Sequence, residues 1–388
     1  MEVRKEMKRL ALITCMVACI SLFSGCSDGG DASQTVVDAQ EVTTSESGSS
    51  AVTESESDVT EAALTQEPLE QKPEEKDKET ILKEYFANYT TVERPEKKES
   101  HYQYNMKAIS NFARESGHDN IEVYWDDFLD AVSEGRTSFL CPDLETYRYI
   151  QIEMIMWFLP GADEWIVMPN RPKIVDGMAS FSYAISDEER LAKLEQIKTV
   201  TESVLNEVLD DDYTDFEKAM ALYLYFVDNF TYYEDMEHWG GILSTLIRKY
   251  GICDEFSRAY SYLLVQAGVE DAGTVSDNGH RWSFVKLGDY YYHVDTTWGL
   301  GNPNLSYFLL STSQRIYTTG DPLENLYIDL MKEHEYCEQD FPDEDEYFSA
   351  FWAYGSEVKW DRDEKMIYVR YMDDRGRWRI KEVSYEGL

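Results

Sequence analysis

Apolar positions come in blocks along the 388-residue chain, and each block predicts an element. Leu10 to Phe23 is a nearly continuous apolar run behind Arg4, Lys5, Lys8 and Arg9. It is shorter than the ~20 residues a membrane-spanning helix needs and reads as the h-region of a signal peptide over residues 1–25. From Ser27 to about Lys78 large apolar residues almost vanish, and Ser, Thr, Asp, Glu and Gln take over. Such a segment cannot offset the entropy of ordering, so residues 26–80 are expected to form a disordered acidic tether. No other stretch is apolar for long enough to span a bilayer.

Residues 81–185 read as a mixed α/β region. A helix is expected over Asn105 to Ser116, a strand over Asn120 to Tyr124 and a second helix over Asp126 to Glu134. Tyr147 to Phe158 fits a helix or a buried strand, while Trp165 to Met168 and Met178 to Ile185 fit strands. Residues 186–344 open with two capping boxes. Ser186-x-x-Glu189 leads a helical face of Leu191, Leu194, Ile197, Val200, Val204 and Val208. Thr214-x-x-Glu217 leads a helix apolar nearly all round, and therefore buried. A further helix is expected to begin at Cys253 and stop near Ala267, where Gly268 supplies the break. Two strands follow, His280 to Leu287 and Tyr290 to Thr296, joined by Gly288-Asp289. Residues 345–388, with strands at Glu357–Trp360, Met366–Tyr371 and Trp378–Val383, predict a small β-meander appended as a subdomain.

Charge narrows the partners. Asp and Glu total 75 against 36 Lys and Arg, a net charge of −39 that the tether only partly explains. An acidic head repels polyanions, so nucleic acid is excluded as a partner; cationic or neutral peptides stay open. The run Asp210-Asp211-Asp212 lacks the glycine and ligand spacing of a calcium loop and predicts a solvated turn. Four of the six cysteines follow residue 25: Cys26, Cys141, Cys253 and Cys337. Cys141 and Cys337 could pair in an oxidising exterior, which would leave Cys253 as the odd thiol; the sequence leaves both states open. With no CxxC or HExxH and with scattered histidines, no metal and no other cofactor is predicted.

The chemistry concentrates in Cys253, His280 and Asp295. A thiol, an imidazole and a carboxylate are the parts of a nucleophilic acyl-transfer site. A cysteine at a helix start meets unpaired N–H groups and the positive end of the helix dipole, both of which favour the thiolate and offer an oxyanion hole. If Gly288-Asp289 is a two-residue turn, Leu287 pairs with Tyr290 and Trp282 stands opposite Asp295. His280 is then the diagonal neighbour of Asp295 on one face, about 7–8 Å away at the backbone and within side-chain reach. His293 is a rival imidazole on the same face, two residues closer to the turn. Trp282 and Trp298 are expected to line a substrate cleft. Asp254 and Glu255 oppose thiolate formation, with Glu255 narrowing the approach to sulfur and Arg281 either offsetting the charge or exposed.

Two resemblances extend this reading. Leu22-Phe23-Ser24-Gly25-Cys26 resembles the lipobox of bacterial lipoproteins, which implies lipid attachment at Cys26 and a place on the extracellular face of a Gram-positive cell membrane. Gly251-Ile252-Cys253, Gly279-His280-Arg281-Trp282 and Asp295-Thr296-Thr297-Trp298 resemble, in order and spacing, the motifs of the transglutaminase-like superfamily, over roughly Asp215 to Leu310. The resemblance implies an α+β, papain-like core, here with an N-terminal α/β extension and the C-terminal meander. It implies Cys253 as nucleophile, His280 as general base and acid, Asp295 as its orienting carboxylate, and a thioester intermediate. A protein or peptide substrate of the envelope, cleaved by hydrolysis, is the expected use. Cross-linking to a lysine-type amine, or peptide or glycan binding without catalysis, are the other two.

Overall fold

The computed structural model describes residues 92–233, 240–277, 279–301, 304–319, 327–330, 346–352, 355–373 and 375–388. The expected signal segment, the tether, Cys26 and Cys337 lie outside them. Among the described residues no helix is long and apolar enough to cross a membrane. The fold is α+β, with small sheets that are antiparallel except for the two-residue pair Thr231–Tyr232 with Tyr250–Gly251.

Residues 92–110 form an irregular strap. Its backbone is satisfied largely by side chains rather than by a ladder: Lys98 N–H donates to Asp210, His101 N–H to Asp211, Tyr102 N–H to Asn206 and Tyr104 N–H to Glu202. The acidic run expected as a solvated turn is therefore partly structural, with Asp210 fully buried. Glu93 bridges to Lys359, and further along the strap partly buried N–H groups take their acceptors from side chains.

Helix α1, Ile121–Glu134, replaces the strand and shorter helix expected over Asn120 to Glu134. Ile121, Trp125, Phe128, Leu129 and Val132 are all buried and recur at helical spacing, so one face overrides the strand-like character of Ile-Glu-Val-Tyr. The helix expected over Asn105 to Ser116 is reduced to Asn111–Arg114, capped by Ser110. Tyr147 to Phe158 resolves as helix, with a π turn at Ile150–Met154.

Helices α2, Asp187–Val208, and α3, Asp215–Asn229, carry both expected capping boxes. Helix α4, Gly241–Arg248, then leads to α5, Cys253–Gln266, which ends before Gly268 at φ +86°. Strands β1, Ala272–Ser276, β2, Arg281–Leu287, and β3, Tyr290–Val294, follow. Two short helices, α6, Thr296–Gly299, and α7, Thr312–Thr319, precede β4, Tyr327–Ile328. The central sheet has the order β4-β1-β2-β3, with Leu287 opposite Tyr290 as the turn predicts.

This sheet is a partition between two cores. Val275, Trp282 and Phe284 pack with Phe112, Trp125 and Phe128 of the N-terminal region. Val285, Leu287, Tyr292 and Val294 pack with α3 and α5. The C-terminal strands β5, Ser356–Asp361, β6, Met366–Met372, and β7, Trp378–Ser384, form the expected meander. Its Trp360, Ile367, Val369 and Val383 belong to the α3–α5 core, so the meander has no separate core of its own.

Candidate active site

Cys253 is the first residue of α5, after the extended Ile252. Glu255 does not crowd it. The Glu255 carboxylate turns back and accepts N–H bonds from Ile252, Gly240 and Gly241, each at 3.1 Å. This corrects the expectation that it narrows the approach to sulfur: three backbone donors hold it elsewhere. A Cβ at Gly251 would lie 2.8 Å from Glu255 Oε2, so the glycine before the cysteine makes room for that carboxylate. Asp254 is paired with both Arg258 and Arg281. Arg281 also binds Asp329 at 3.0 Å, so it offsets the acidic charge beside the sulfur rather than standing free.

His280 lies just before β2. Asp277 Oδ1 accepts from the backbone N–H of Gly279 and His280 at 2.8 and 2.6 Å, which fixes the loop that delivers the imidazole. The ring's Nε2 is 2.8 Å from Asp295 Oδ2, and its side chain is 12 % exposed. Asp295 is fully buried. Strand β3 stops at Val294 rather than Thr296, because Asp295 caps α6: its Oδ1 accepts from Thr297 N–H at 3.1 Å and Trp298 N–H at 2.9 Å. One carboxylate thus ends a strand, starts a helix and orients an imidazole.

The electrostatics follow from this line. Burial opposes the thiolate of Cys253, yet the hydrogen bond and charge of His280 and the Arg281 backbone N–H bring the thiol below its ordinary value. Burial likewise opposes the imidazolium, but Asp295 and Cys253 raise His280 to about 9. Asp295 is lowered: burial works against it, and His280, Arg315 and the Trp298 N–H outweigh burial. Each charged form is tolerated because the next one faces it.

Of the two tryptophans expected to line a cleft, Trp282 is buried instead. Trp282 is 1 % exposed, and its Nε1–H donates to His293 Nδ1 at 2.9 Å; it is packing, because its strand face turns into the N-terminal core. Trp298 is half-buried and stacks on His280 with ring centres 5.0 Å apart. His293 is held between Trp282 and Thr312 Oγ1, which puts its proton on Nε2 and its role in the core.

Arg315, on α7, was invisible in the sequence. It is 1 % exposed, 3.8 Å from Asp295 Oδ2, and lies over Trp282 and Trp298. No spacing rule links an arginine in a short Ser/Thr-rich helix to a carboxylate 20 positions earlier. Cys141 is fully buried, with its thiol pushed up to about 11 by that burial, and donates to Asp143 O. Cys337, with which it could pair, is outside the described residues. Among the described residues no group of three His, Cys, Asp or Glu could hold a metal.

No family model and no curated protein matches this chain. Among solved structures it is similar to Legionella pneumophila LapG at 12 % identity and TM-score 0.21, covering 29 % of this chain and 67 % of that one. Calcium-bound LapG gives 13 % identity and TM-score 0.23 over 37 % and 76 % of the two chains. A structure described as a TGase gives 15 % identity and TM-score 0.21 over 41 % of this chain, which spans about half (48 %) of that protein's length. At such scores these likenesses carry no argument, and the reading of the site stands on its own geometry.

Proposed function

We propose that the chain is a transglutaminase-like cysteine acyl-transfer enzyme that hydrolyses peptide or amide bonds. The observation that supports it is the line Cys253, His280, Asp295: a helix-start thiol lowered toward thiolate, an imidazole beside it, and a buried carboxylate 2.8 Å from the ring. The Cys253 thiolate attacks the substrate carbonyl carbon, and the C–S bond forms as the C=O π pair moves onto oxygen. Backbone N–H groups of the first turn of α5, which lack intrahelical acceptors, face the developing charge. His280 gives its proton to the departing amine as the C–N bond breaks, leaving a thioester and neutral imidazole. That imidazole then takes a proton from water, whose oxygen attacks the thioester, and the released sulfur regains the thiolate–imidazolium pair. Asp295 keeps the ring oriented throughout.

Water is the acceptor in this reading because no described residue marks a site for an amine. The substrate is a protein or peptide of the cell envelope, and the enzyme is held on the extracellular face of the cell membrane through lipid at Cys26. The test is the pH dependence of Cys253 alkylation with peptide mapping, comparing wild type with His280→Ala. Fast labelling below pH ~8.5 that His280→Ala abolishes supports the reading; labelling at an ordinary thiol's rate in both overturns it. Product analysis with and without added lysine-type amine then separates hydrolysis from cross-linking.

A further inference from the structure

The acyl-transfer chemistry leaves one buried cation beside the site without a part. The guanidinium of Arg315 lies 3.8 Å from Asp295 Oδ2, the same oxygen that His280 Nε2 meets at 2.8 Å. Its central carbon is 3.9 Å from the ring centre of Trp282 and 4.4 Å from that of Trp298. The same two indoles flank the His280 imidazole at 5.8 and 5.0 Å, inclined to it by only 20° and 12°. Thr312, the first residue of α7, meets His293, and His293 accepts the indole N–H of Trp282. Helix α7 therefore reaches the triad directly through Arg315, and through Thr312 it reaches only His293 behind Trp282.

We propose that Arg315 is a positioning residue of the acyl-transfer site, holding Asp295 as a carboxylate and wedging the two indoles that set the plane of His280. The inference rests on the acyl-transfer reading and adds to it a second cation. In that cycle His280 alternates between imidazolium and neutral imidazole, so for half the cycle Asp295 has no charged partner in the triad. A buried carboxylate without a cation is driven to take up a proton. Arg315 does not titrate with the cycle, so it keeps Asp295 ionised in both halves. The flat guanidinium also fits between two ring faces, where the compact, strongly hydrated ammonium of lysine does not. Charge and shape thus act separately, on the ionisation of Asp295 and on the angle of His280.

The experiment follows Cys253 alkylation against pH in the full-length protein, with peptide mapping, for wild type, Arg315→Gln and Arg315→Lys. Removing the cation raises Asp295 and Cys253 together, so Arg315→Gln is expected to move the acid limb up by about one pH unit, a tenfold slower labelling at a fixed acidic pH. Arg315→Lys is expected to keep the acid limb and lose several-fold in the plateau. An acid limb in Arg315→Gln that coincides with wild type overturns the proposal while leaving the acyl-transfer reading in place. Absence of His280-dependent labelling in wild type removes both. Should neither variant fold, the backbone-assigned Arg315 Nε–H resonance of the wild-type protein decides. A ring-current-shifted, exchange-protected signal that moves as His280 titrates supports the role, and one that stays constant or exchanges like a surface arginine overturns it.

Discussion

At Cys253 burial and charge pull in opposite directions, and the neighbours decide the outcome. Desolvation alone favours the thiol; His280 and the Arg281 N–H favour the thiolate and prevail. His280 itself is raised to about 9, so its imidazolium is present at all pH values below that and is lost as pH climbs through it. Amide cleavage needs that proton for the leaving amine. Turnover of an amide substrate is therefore expected to fall above pH about 9, whereas alkylation, which needs only thiolate, persists there. An alkaline limb common to both measurements would contradict this assignment of acid and nucleophile. Gly299 is the other residue-scale test. A Cβ there would lie 2.6 Å from Tyr223 Oη and 2.9 Å from Val227 Cγ1, both on α3. Gly299→Ala must push α6 off α3, and Asp295 caps α6. A loss of about 1–3 kcal/mol in stability, with slower Cys253 labelling at acidic pH, is expected from denaturant melts and alkylation.

At the scale of elements, legibility in the sequence depended on whether the deciding interactions were local. The capping boxes at Ser186 and Thr214, the Gly268 stop and the Leu287–Tyr290 register all rest on contacts within a few positions, and each stands as expected. That register placed His280 diagonal to Asp295, and the two side chains meet. What failed depends on distant partners. Asn120 to Tyr124 has strand-like residues but is drawn into α1 by the N-terminal core. Trp282 looked like cleft because its neighbours are site residues, whereas the N-terminal core covers it. Arg315 comes from an element beyond the motifs altogether. The meander is the sharpest case, since three strands with turns between them read as separable. Instead the fully buried Glu217 side chain on α3 binds Arg362, Lys365 and Tyr385 next to the shared core. Truncation after residue 345 is therefore expected to abolish cooperative melting of the whole folded region. A truncated protein that still melts cooperatively would restore the appended-subdomain view.

For the whole molecule, the link between the strap and the meander carries a pH dependence. Arg94 binds Glu357 at 2.9 Å and Asp228 at 2.7 Å, and Asn304 also meets Glu357. Burial raises Glu357 to about 7 despite Arg94, against 4.5 for an ordinary glutamate. Between those values the folded state holds a proton that the unfolded state has lost, so this group makes stability fall as pH rises from about 4.5 to about 7. Glu357→Gln keeps the shape without the charge. Its Tm is expected to gain on wild type progressively between pH 5 and pH 8, and parallel Tm curves would rule the account out.

The same strap has a consequence for the order in which the molecule is made. Glu93 N–H donates to Val358 O, Trp360 N–H donates to Glu93 O, and Arg94 reaches Glu357 across 263 positions. The strap is thus completed by residues that emerge 263 positions later. Helices α2, α3 and α5 come earlier in the chain, but the cover over their shared core arrives only with β5 to β7. Until then the emerging chain exposes Phe216, Tyr213 and their neighbours. Chains that end before residue 356 should therefore be retained by holding chaperones, and chains that include β5 to β7 should be released.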